Sequence, residues 1–378
     1  MGAGIAQLAL EAGHEVVLHD VDEAAIAAGR DRIQVGLGRR AAKLDLDADS
    51  IDDWIDGRLA RLRDGHSLDA VGAEADFVIE AALEDLDLKQ TLFRTLDAAA
   101  ADDVVLATNT SALSVAAIAS ATAHPERVLG LHFFNPAPVM RLVELVPHKG
   151  TARTAIDQAA RLVTSWDRTV VRSTDTPGFI VNRVNRPFTL EALAILEAGE
   201  ASVAMIDEAM RADGFPMGPF ELMDLVGIDV NLAAARGIYE GAVAVEDPLA
   251  DRFRPSPTQE RLVDAGNLGR KSGEGFYRYD ATTGRPAPHL GADDAGERMT
   301  GPEVAERLRL AIAAEAYRAL DEGVATAAEI DLAMRLGAGH PIGPIEWAET
   351  LGGRVAVETR LAAMESLGPR FHLRPSRV

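Results

Sequence analysis

Cysteine is absent from this chain of 378 residues, which excludes a disulfide framework, a thiolate nucleophile and a metal site with cysteine ligands. Basic residues are few relative to acidic ones, and the net charge of -21 argues against a nucleic-acid partner. Long hydrophobic runs are missing as well, because Glu, Asp or Arg interrupts every candidate for a membrane span. The apolar start MGAGIAQLALEAGHE lacks the basic region of a signal peptide. We therefore expect a soluble, cytoplasmic protein without a membrane contact.

Short apolar runs alternate with amphipathic segments over the first half of the chain. The expected strands are residues 14–20, 75–80, 103–107, 128–134 and 142–146, and the expected helices are residues 1–12, 21–43, 52–62 and 85–100. The last of these helices is expected to bury one stripe, formed by Leu88, Leu92, Phe93 and Leu96. This alternation predicts a parallel, doubly wound sheet, in which ligands bind at the carboxyl ends of the strands.

The first twenty residues have the pattern of half a dinucleotide-binding unit. A helix, a turn at Gly13 and a strand that ends in Asp20 follow each other as in a βαβ fold. The strand and the first two glycines that normally precede such a helix are absent. Gly2 is therefore either the last of three phosphate-binding glycines or, together with Gly4, a glycine for helix packing. Asp20 is either an acid that holds a ribose or the N-cap of the helix that starts near Asp22.

The stretch LGLHFFNPAPVMRLVELV, residues 129–146, contains the best candidate for a catalytic pair. Its two apolar runs are expected to be buried strands joined by a Pro-rich turn at residues 135–138. A hairpin-like return brings His132 beside Glu144, where the carboxylate orients the imidazole and stabilises its protonated form. Taken alone, the spacing also fits a core histidine beside a surface glutamate. The position of His132 at a strand end, like that of the other polar candidates, favours a general base.

After residue 171 the chain becomes almost entirely helical. A breaker-rich joint at residues 174–179 leads into a helix expected at residues 179–198. The expected buried stripe of this helix is Ile180, Val184, Phe188 and Ala192. Asn182 lies one helical step from the stripe, and it is either a polar surface residue or a residue that faces the ligand edge of the sheet.

The helical pattern is repeated after a linker rich in Gly, Pro and Asp. Residues 195–210 are echoed by residues 319–334, and residues 214–227 by residues 339–352, which indicates a duplicated helical domain. The second copy has no match to the segment around Asn182, so we expect it to be structural. The expected domains are a dinucleotide-binding domain at 1–174, a helical substrate domain at 175–280, a linker at 281–300 and the second helical copy at 301–378.

Eight motifs resemble those of one known family. They are MGAGIAQ, GHEVVLHD, DFVIEAALEDLDLKQTLF, NTSAL, HFFNPAPVMRLVELV, DTPGFIVNR, MGPFELMDLVG and KSGEGFY. With them the chain resembles a bacterial (S)-3-hydroxyacyl-CoA dehydrogenase of the 3-hydroxybutyryl-CoA type. The duplicated helical domain is similar to that of longer members, including those that act on 3-hydroxybutyryl- or 3-hydroxyadipyl-CoA. The resemblance implies a Rossmann-type doubly wound sheet without its first strand, followed by two all-α domains. It also implies reversible, NAD-dependent oxidation of a 3-hydroxyacyl-CoA to a 3-oxoacyl-CoA, as in fatty acid metabolism.

The resemblance further implies roles for single residues. His132 matches the catalytic base and Glu144 its partner. Ser111 and Asn182 match residues that hydrogen-bond the reacting oxygen and orient the substrate. Asp20 matches the acid that holds the adenosine ribose, which implies NAD rather than NADP. The remaining matches are Gly2, Glu84, Lys89, Ser111, Asn135 and Lys271 at the cofactor site, and Lys43 and Lys89 at the CoA moiety. No metal is implied.

The start of the chain departs from the family pattern. Without the first strand and the first glycines, part of the pyrophosphate cradle is missing, and we expect poor NAD binding; a start codon placed too late would produce such a chain. One alternative is an inactive or regulatory relative that still folds through its helical domains. Another is an NAD(P) dehydrogenase of a free hydroxy acid, which would need a basic clamp for the carboxylate and usually a catalytic lysine.

The second helical copy is expected to pack against the first, as a second subunit would in a dimer. The stripe Ala313, Ala316, Tyr317 and Leu320 and the loop near Trp347 are the expected contact surface. Such an intramolecular pseudo-dimer is one possibility, and a homo-oligomer or a separately docked copy is the other.

Overall fold

The computed structural model describes residues 1–44, 46–288 and 298–373. Its contacts divide the chain into two compact units, Met1–Asp175 and Thr176–Val378. The first unit contains the strands of the expected sheet, and the second is almost entirely helical. Among the described residues, no helix combines the length and the apolar character that crossing a membrane requires.

The first unit alternates strands and helices. Its helices are α1 (Gly2–Glu11), α2 (Glu23–Ala41), α3 (Ala48–Leu59), α4 (Leu68–Glu74), α5 (Leu86–Ala99), α6 (Val115–Ala119) and α7 (Arg153–Ser165). Its strands are β1 (Val16–Leu18), β2 (Leu62–Asp64), β3 (Phe77–Glu80), β4 (Val105–Thr108), β5 (Val128–Phe133), β6 (Leu142–Pro147) and β7 (Thr169–Arg172).

The strands of the first unit form two sheets. β1 pairs in parallel with β2, and a five-stranded sheet has the order β3-β4-β5-β6-β7. Strands β3, β4 and β5 run parallel, β6 runs antiparallel to β5, and β7 runs parallel to β6. Strands β4 and β5 are buried along their whole length and β6 over most of it, which explains why they form continuous apolar runs in the sequence. The expected α/β class is confirmed.

Five elements of the first unit have no counterpart among the expected ones; they are β2, β7, α4, α6 and α7. The helix expected at residues 52–62 ends at Leu59, and Leu62 begins β2; α4 follows. A strand of three residues with one buried side chain has too few positions to show a period of two, so the sequence did not reveal it. In α5, Leu88 is 36% exposed, and the helix buries Lys89 in addition to the expected Phe93 and Leu96.

The second unit is built from helices and one small pair of strands. The helices are α8 (Val181–Val184), α9 (Arg186–Glu197), α10 (Val203–Ala212), α11 (Pro219–Val226), α12 (Ile228–Ala244), α13 (Pro257–Asp264), α14 (Gly301–Asp321), α15 (Ala327–Gly337), α16 (Pro344–Thr350) and α17 (Arg354–Ala362). The strands β8 (Tyr277–Tyr279) and β9 (Pro286–Pro288) are antiparallel. The expected linker at 281–300 therefore begins with a turn and a strand, and its residues 289–297 lie outside the described residues.

The helix expected at residues 179–198 is divided into α8 and α9. Pro187 lies in the first turn of α9, where a residue without an amide proton is tolerated, but it cannot donate to the carbonyl group one turn earlier. The expected stripe is nevertheless confirmed, because Ile180, Val184, Phe188 and Ala192 are all buried.

The duplication is visible in matching local structure. Asp207 accepts hydrogen bonds from the amides of Phe220 and Glu221, and Asp331 accepts them from the amides of Ile345 and Glu346 in the second copy. The glycines that follow the two capped helices, Gly227 and Gly352, have φ angles of 104° and 105°. Both pairs of features require the same residue type at the same place, so the repeat extends from sequence to structure.

The two copies contact each other through reciprocal ion pairs. Nε of Arg183 donates to Glu315 at 2.7 Å, and Nε of Arg307 donates to Glu191 at 2.7 Å. Arg183 corresponds to Arg307, and Glu191 to Glu315, at a constant offset of 124 residues. A contact in which each copy gives the same residue to its partner is the pattern of a twofold interface.

A second reciprocal contact lies at the glycine loops. A Cβ atom added to Gly214 would lie 3.3 Å from Pro341, and one added to Gly339 would lie 3.3 Å from Pro216. Of the expected contact surface, Ala313, Ala316 and Tyr317 are buried and Leu320 is half-buried. The ring of Trp347 packs under Arg309, which belongs to the same copy. The structure thus joins the two copies within one compact unit, whereas the sequence analysis assigned them to separate domains.

Candidate active site

His132 and Glu144 face each other directly on the antiparallel strands β5 and β6. Directly opposed residues of such a pair project from the same face of the sheet, so the register alone brings the two side chains together. Nδ1 of His132 lies 2.6 Å from Oε2 of Glu144. The imidazole is 6% exposed and the carboxylate is fully buried. This is the geometry of an imidazole whose orientation is fixed by a buried carboxylate, which can act as a general acid or base.

The backbone beside His132 is held by a side chain that follows the neighbouring strand β4. Oδ1 of Asn109, which follows β4, accepts a hydrogen bond of 2.9 Å from the amide of Phe133. The ring of Phe134 lies 4.5 Å from the imidazole, and the exposed Asn135 follows it with a cis peptide bond to Pro136. Asn109 was not among the candidate residues named from the sequence; its tie to the strand that carries His132 depends on the pairing of β4 with β5, which no local pattern reveals.

Glu84 and Ser111 are brought together after β3 and β4. One carboxylate oxygen of Glu84 accepts hydrogen bonds from the Thr110 hydroxyl at 2.7 Å and from the amides of Ser111 and Ala112 at 2.8 and 3.0 Å. Partial burial acts to raise the pKa of Glu84, but these bonds and the charge of Lys89 outweigh it, so its pKa lies below the ordinary value. Glu84 therefore stays ionised and fixes the turn that presents Ser111.

Lys89 differs from the expectation of a phosphate contact. It is 1% exposed, and its Nζ lies 2.7 Å from Oε1 of Glu80 and 3.6 Å from Oε2 of Glu84. The other oxygen of Glu80 accepts from the hydroxyl of Thr108. The ammonium group thus neutralises two carboxylates where β3 and β4 end, and in this structure it is not an exposed point charge for CoA. The resemblance implied that Lys89 contacts the cofactor and the CoA moiety, whereas in the structure it is buried against the acid at the end of β3.

The start of α1 has the chemistry that a dinucleotide phosphate requires. The helix begins at Gly2 without a side-chain cap, so the amide groups of its first turn can donate to an anion. A Cβ atom on Gly2 would make only an ordinary contact of 3.8 Å with Ala81, whereas one on Gly4 would lie 3.1 Å from Pro138. Packing is therefore tight at Gly4 and leaves room at Gly2.

Asp20 lies just after β1 and is exposed. Its carboxylate accepts a hydrogen bond from the amide of Val21, while Asp22 caps α2 by accepting from the amide of Ala25 at 2.7 Å. The alternative that Asp20 is the N-cap is therefore wrong. An exposed acid at the end of the second strand of such a unit fits the ribose hydroxyls of NAD.

Three other expected site residues lie apart from these groups in the sequence. Lys43 is exposed, just beyond the end of α2. In the second unit, Asn182 is half-buried in α8, and Nζ of Lys271 lies 2.7 Å from Oδ2 of Asp229. Lys271 is thus paired with a carboxylate.

Family models match nearly the whole chain. The NAD-binding domain of the 3-hydroxyacyl-CoA dehydrogenases matches residues 1–176, and the C-terminal domain of the same family matches residues 178–279 and 304–378. The chain belongs to the 3-hydroxyacyl-CoA dehydrogenase family.

Individual relatives of the dehydrogenase cover one or both helical copies. A 3-hydroxyadipyl-CoA dehydrogenase of Escherichia coli is 37% identical over 93% of this chain and 89% of its own. The mitochondrial hydroxyacyl-coenzyme A dehydrogenase of Rattus norvegicus is 41% identical over 74% of this chain and 88% of its own. Among solved structures, a 3-hydroxybutyryl-CoA dehydrogenase of Escherichia coli matches with a TM-score of 0.86 and 34% identity, over 99% of this chain and 94% of the other.

These comparisons confirm the expected family, fold class, cofactor and reaction class. The chain is an NAD-dependent oxidoreductase of the 3-hydroxyacyl-CoA dehydrogenase family. The groups at Gly2 and Asp20 fit that cofactor in their chemistry.

Proposed function

We propose that His132 and Glu144 are the catalytic pair of this dehydrogenase, acting on the 3-hydroxyl group of an (S)-3-hydroxyacyl-CoA. The observation that carries the proposal is the buried contact of 2.6 Å between Nδ1 of His132 and Oε2 of Glu144. A ring nitrogen that faces a carboxylate holds the proton, which leaves the proton exchange with the substrate to Nε2. The pair therefore has a defined acid–base atom.

In the oxidising direction, Nε2 of His132 accepts the proton of the 3-hydroxyl group as that carbon becomes a ketone. NAD, when bound, supplies the hydride acceptor. Glu144 stabilises the imidazolium that forms, and its burial strengthens that interaction because no water competes for the carboxylate. In the reducing direction, the imidazolium returns the proton to the oxygen.

The other expected site residues have supporting roles in this proposal. The hydroxyl of Ser111 and the carboxamide of Asn182 hydrogen-bond the reacting oxygen and orient the substrate. Gly2 starts the helix that receives the pyrophosphate, and Asp20 binds the adenosine ribose and repels a 2'-phosphate, so NAD is preferred over NADP. The fixed position of Ser111, which Glu84 holds through the Ser111 amide, supports the first assignment.

The remaining candidates are proposed to contact the cofactor or the CoA moiety, or to act through neighbouring carboxylates. Asn135 and Lys271 contact the cofactor, and the exposed Lys43 contacts the CoA moiety, where an ammonium group suits a phosphate. Lys89 acts through Glu80 and Glu84 rather than on the CoA, which its burial supports.

One variant of each member of the pair tests the catalytic assignment. His132→Asn should lower kcat by roughly a hundred- to ten-thousandfold, the range of a lost general acid–base group, without loss of NAD binding. Glu144→Gln should lower kcat as well, because the imidazolium loses its counter-charge. The measurement is steady-state turnover of 3-hydroxybutyryl-CoA together with calorimetric titration of NAD.

The chain offers a matched control for this experiment. His124, near the other end of β5, also contacts a carboxylate, with Nδ1 3.3 Å from Oδ1 of Asp97. His124→Asn should leave turnover unchanged. A His132→Asn variant that retains wild-type kcat would show that the pair is structural.

A further inference from the structure

One buried arginine of the second unit has no carboxylate partner. Among the described residues of that unit, the other buried arginines all contact a carboxylate; they are Arg183, Arg252, Arg307, Arg309 and Arg318. Arg186, the first residue of α9, is 6% exposed and contacts only Asn231, at 3.3 Å to the carboxamide oxygen and 3.5 Å to the backbone carbonyl. Its Nε has no hydrogen-bond partner among the described residues.

The surroundings of Arg186 leave its charge uncompensated. Oδ1 of Asn231 already accepts a hydrogen bond of 2.7 Å from Gln259, and Oε1 of Gln259 is buried without a partner in the described part of the chain. Burial lowers the pKa of Arg186 to about 10, so the guanidinium is still protonated at neutral pH. A buried cation with weak, neutral contacts is strongly unfavourable unless an anion joins it. The guanidinium of Arg186, whose Nε is a buried donor without a partner in the described part of the chain, is therefore the group that an anion would join.

The second helical copy shows that the fold does not require this arginine. At the offset of 124 residues, Arg186 corresponds to Leu310, which is fully buried. At the offset of 125 residues, which applies from the glycine loops onward, Asn231 corresponds to Ala356. The reciprocal ion pairs occur in both copies, so the duplication preserved the residues that hold the interface. The copies agree at the residues of the reciprocal ion pairs and differ at Arg186. This difference indicates a role of Arg186 that only the first copy has.

Arg186 lies one helical turn after Asn182. The residue between α8 and α9, Asn185, has right-handed helical angles of φ -82° and ψ -10°, so the chain keeps its helical path between the two positions. Residues four apart lie on the same face, about 6 Å apart along the axis. Under the proposed function, Asn182 orients the oxygen on C3 of the acyl chain. An anion on the same acyl chain, about one turn further along, would reach Arg186.

We propose that Arg186 binds the distal carboxylate of a dicarboxylic 3-hydroxyacyl-CoA. A six-carbon chain with a terminal carboxylate, as in 3-hydroxyadipyl-CoA, places that carboxylate three bonds of roughly 1.5 Å beyond C3, a span close to one helical turn. A guanidinium can bind a carboxylate through two parallel hydrogen bonds, which gives selectivity for the anion over a methyl end. The inference rests on the proposed function, since Asn182 has its place near C3 through that proposal.

The test compares two substrates of equal length with and without the carboxylate. For the wild type, kcat/KM for 3-hydroxyadipyl-CoA should exceed that for 3-hydroxyhexanoyl-CoA by at least about thirtyfold, because a buried, charge-assisted contact is gained. Arg186→Leu, which introduces the residue of the second copy, should lower the ratio of these two kcat/KM values by about a hundredfold or more. Turnover of 3-hydroxyhexanoyl-CoA and the affinity for free CoA should stay within about twofold of the wild type.

A matched control separates recognition from folding. Arg252 is a buried arginine of the same unit, and it is paired with Glu315 and Asp247. Arg252→Leu should lower the melting temperature and affect both substrates alike, whereas Arg186→Leu should leave the melting temperature unchanged or raise it. If Arg186→Leu does not fold, Arg186→Gln keeps a hydrogen-bonding side chain without the charge and should lose the same preference.

Binding of unreactive analogues keeps the inference independent of catalysis. Calorimetry with adipyl-CoA and hexanoyl-CoA, which lack the 3-hydroxyl group, should give tighter binding of adipyl-CoA to the wild type, and the Arg186 variants should bind adipyl-CoA no more tightly than hexanoyl-CoA. If this holds while neither substrate is turned over, the proposed function fails and the inference stands. Equal binding of the two analogues by the wild type, an equal loss for both in the variants, or weaker binding of free CoA by Arg186→Leu would overturn the inference.

Discussion

The two helical copies of the second unit have one architecture and different polar residues. Both cap a helix with an aspartate, Asp207 or Asp331, and both contribute an arginine and a glutamate to the reciprocal ion pairs. Asn182 and Arg186 of the first copy correspond to Glu306 and Leu310 of the second. The residues of the aspartate caps and of the reciprocal ion pairs are thus shared, and the residues proposed to contact the substrate are among those that differ. The internal repeat therefore serves as a comparison for each proposed substrate residue.

The arrangement also explains why buried charges persist at the contact between the copies. A fixed set of arginines and glutamates admits one register of α14 against α9, because a shift would leave several charges unpaired. The segment between the copies keeps them in one chain, at an effective concentration on the order of millimolar, so the contact does not depend on a partner. Apolar residues such as Ala313 and Ala316 supply close packing, and the ion pairs supply the register.

The largest effect is expected at the glutamate of the second copy. Burial acts to raise the pKa of Glu315, but the charges of Arg183, Arg252 and Arg318 outweigh it and hold the pKa at about 2. Glu315→Gln removes the charge that these arginines share, and it should lower the free energy of unfolding by about 3–5 kcal/mol, as for other broken buried pairs. Denaturation by urea at pH 7 measures the change.

The corresponding glutamate of the first copy gives the comparison. Glu191 contacts Arg307 and Arg370, of which Arg307 also contacts Glu200, so Glu191→Gln should cost about 1–3 kcal/mol. As a control, Glu322→Gln changes a half-exposed partner of Arg183 and should cost less than about 1 kcal/mol. Equal stability of the three variants would mean that the reciprocal pairs do not hold the copies together.

A smaller effect, on the pH dependence of stability, is expected at a position where the second copy has a histidine and the first copy a phenylalanine. His340 corresponds to Phe215 at the loop offset, and the two rings pack edge to face at 4.8 Å. Burial and, to a lesser extent, the charge of Arg309 lower the pKa of His340 to about 3. The unfolded chain binds a proton there below about pH 6.5, so the stability that the neutral ring contributes is present above that pH and is lost as the pH falls.

His340→Phe should remove this part of the pH dependence. Between pH 7 and pH 5 the wild type should lose about 2 kcal/mol more than the variant, at up to about 1.4 kcal/mol per pH unit. The variant also loses the contact between Nε2 and Oδ1 of Asn185, so the comparison is of slopes and not of absolute stability. Parallel curves of unfolding free energy against pH would show that His340 is not buried as a neutral ring.

Most of the first unit could be predicted from its sequence because its signals are local. The continuous apolar runs gave β4, β5 and β6, and the helices expected at residues 21–43 and 85–100 correspond to α2 and α5. The pairing of His132 with Glu144 followed from a short return between two strands. Each of these inferences needed only a few neighbouring residues, and the structure contains each of the inferred features.

The features that the sequence did not reveal depend on contacts between distant segments. Lys89 is buried because Glu80 ends the neighbouring strand, and Asn109 supports His132 because β4 pairs with β5. Arg186 was not among the candidate residues named from the sequence. Its missing counter-charge became visible only when the partners of the other buried arginines were known. Unpaired charge is a property of the folded state, so a linear pattern cannot contain it.

The last comparison of the two copies concerns Asn182, which is proposed to contact the substrate, and its counterpart Glu306, where the smallest effect is expected. Asn182→Ala should lower kcat by roughly ten- to a hundredfold, because a hydrogen bond to the reacting oxygen is lost. Glu306→Ala changes the corresponding residue of the second copy, whose carboxylate pairs with Arg360 at the surface. It should leave kcat unchanged and alter the free energy of unfolding by less than about 1 kcal/mol, the usual range for an exposed ion pair. Turnover and urea denaturation of both variants give the two values. A loss of turnover in Glu306→Ala comparable to that in Asn182→Ala would show that the second copy takes part in catalysis, and the division of labour between the copies would be wrong.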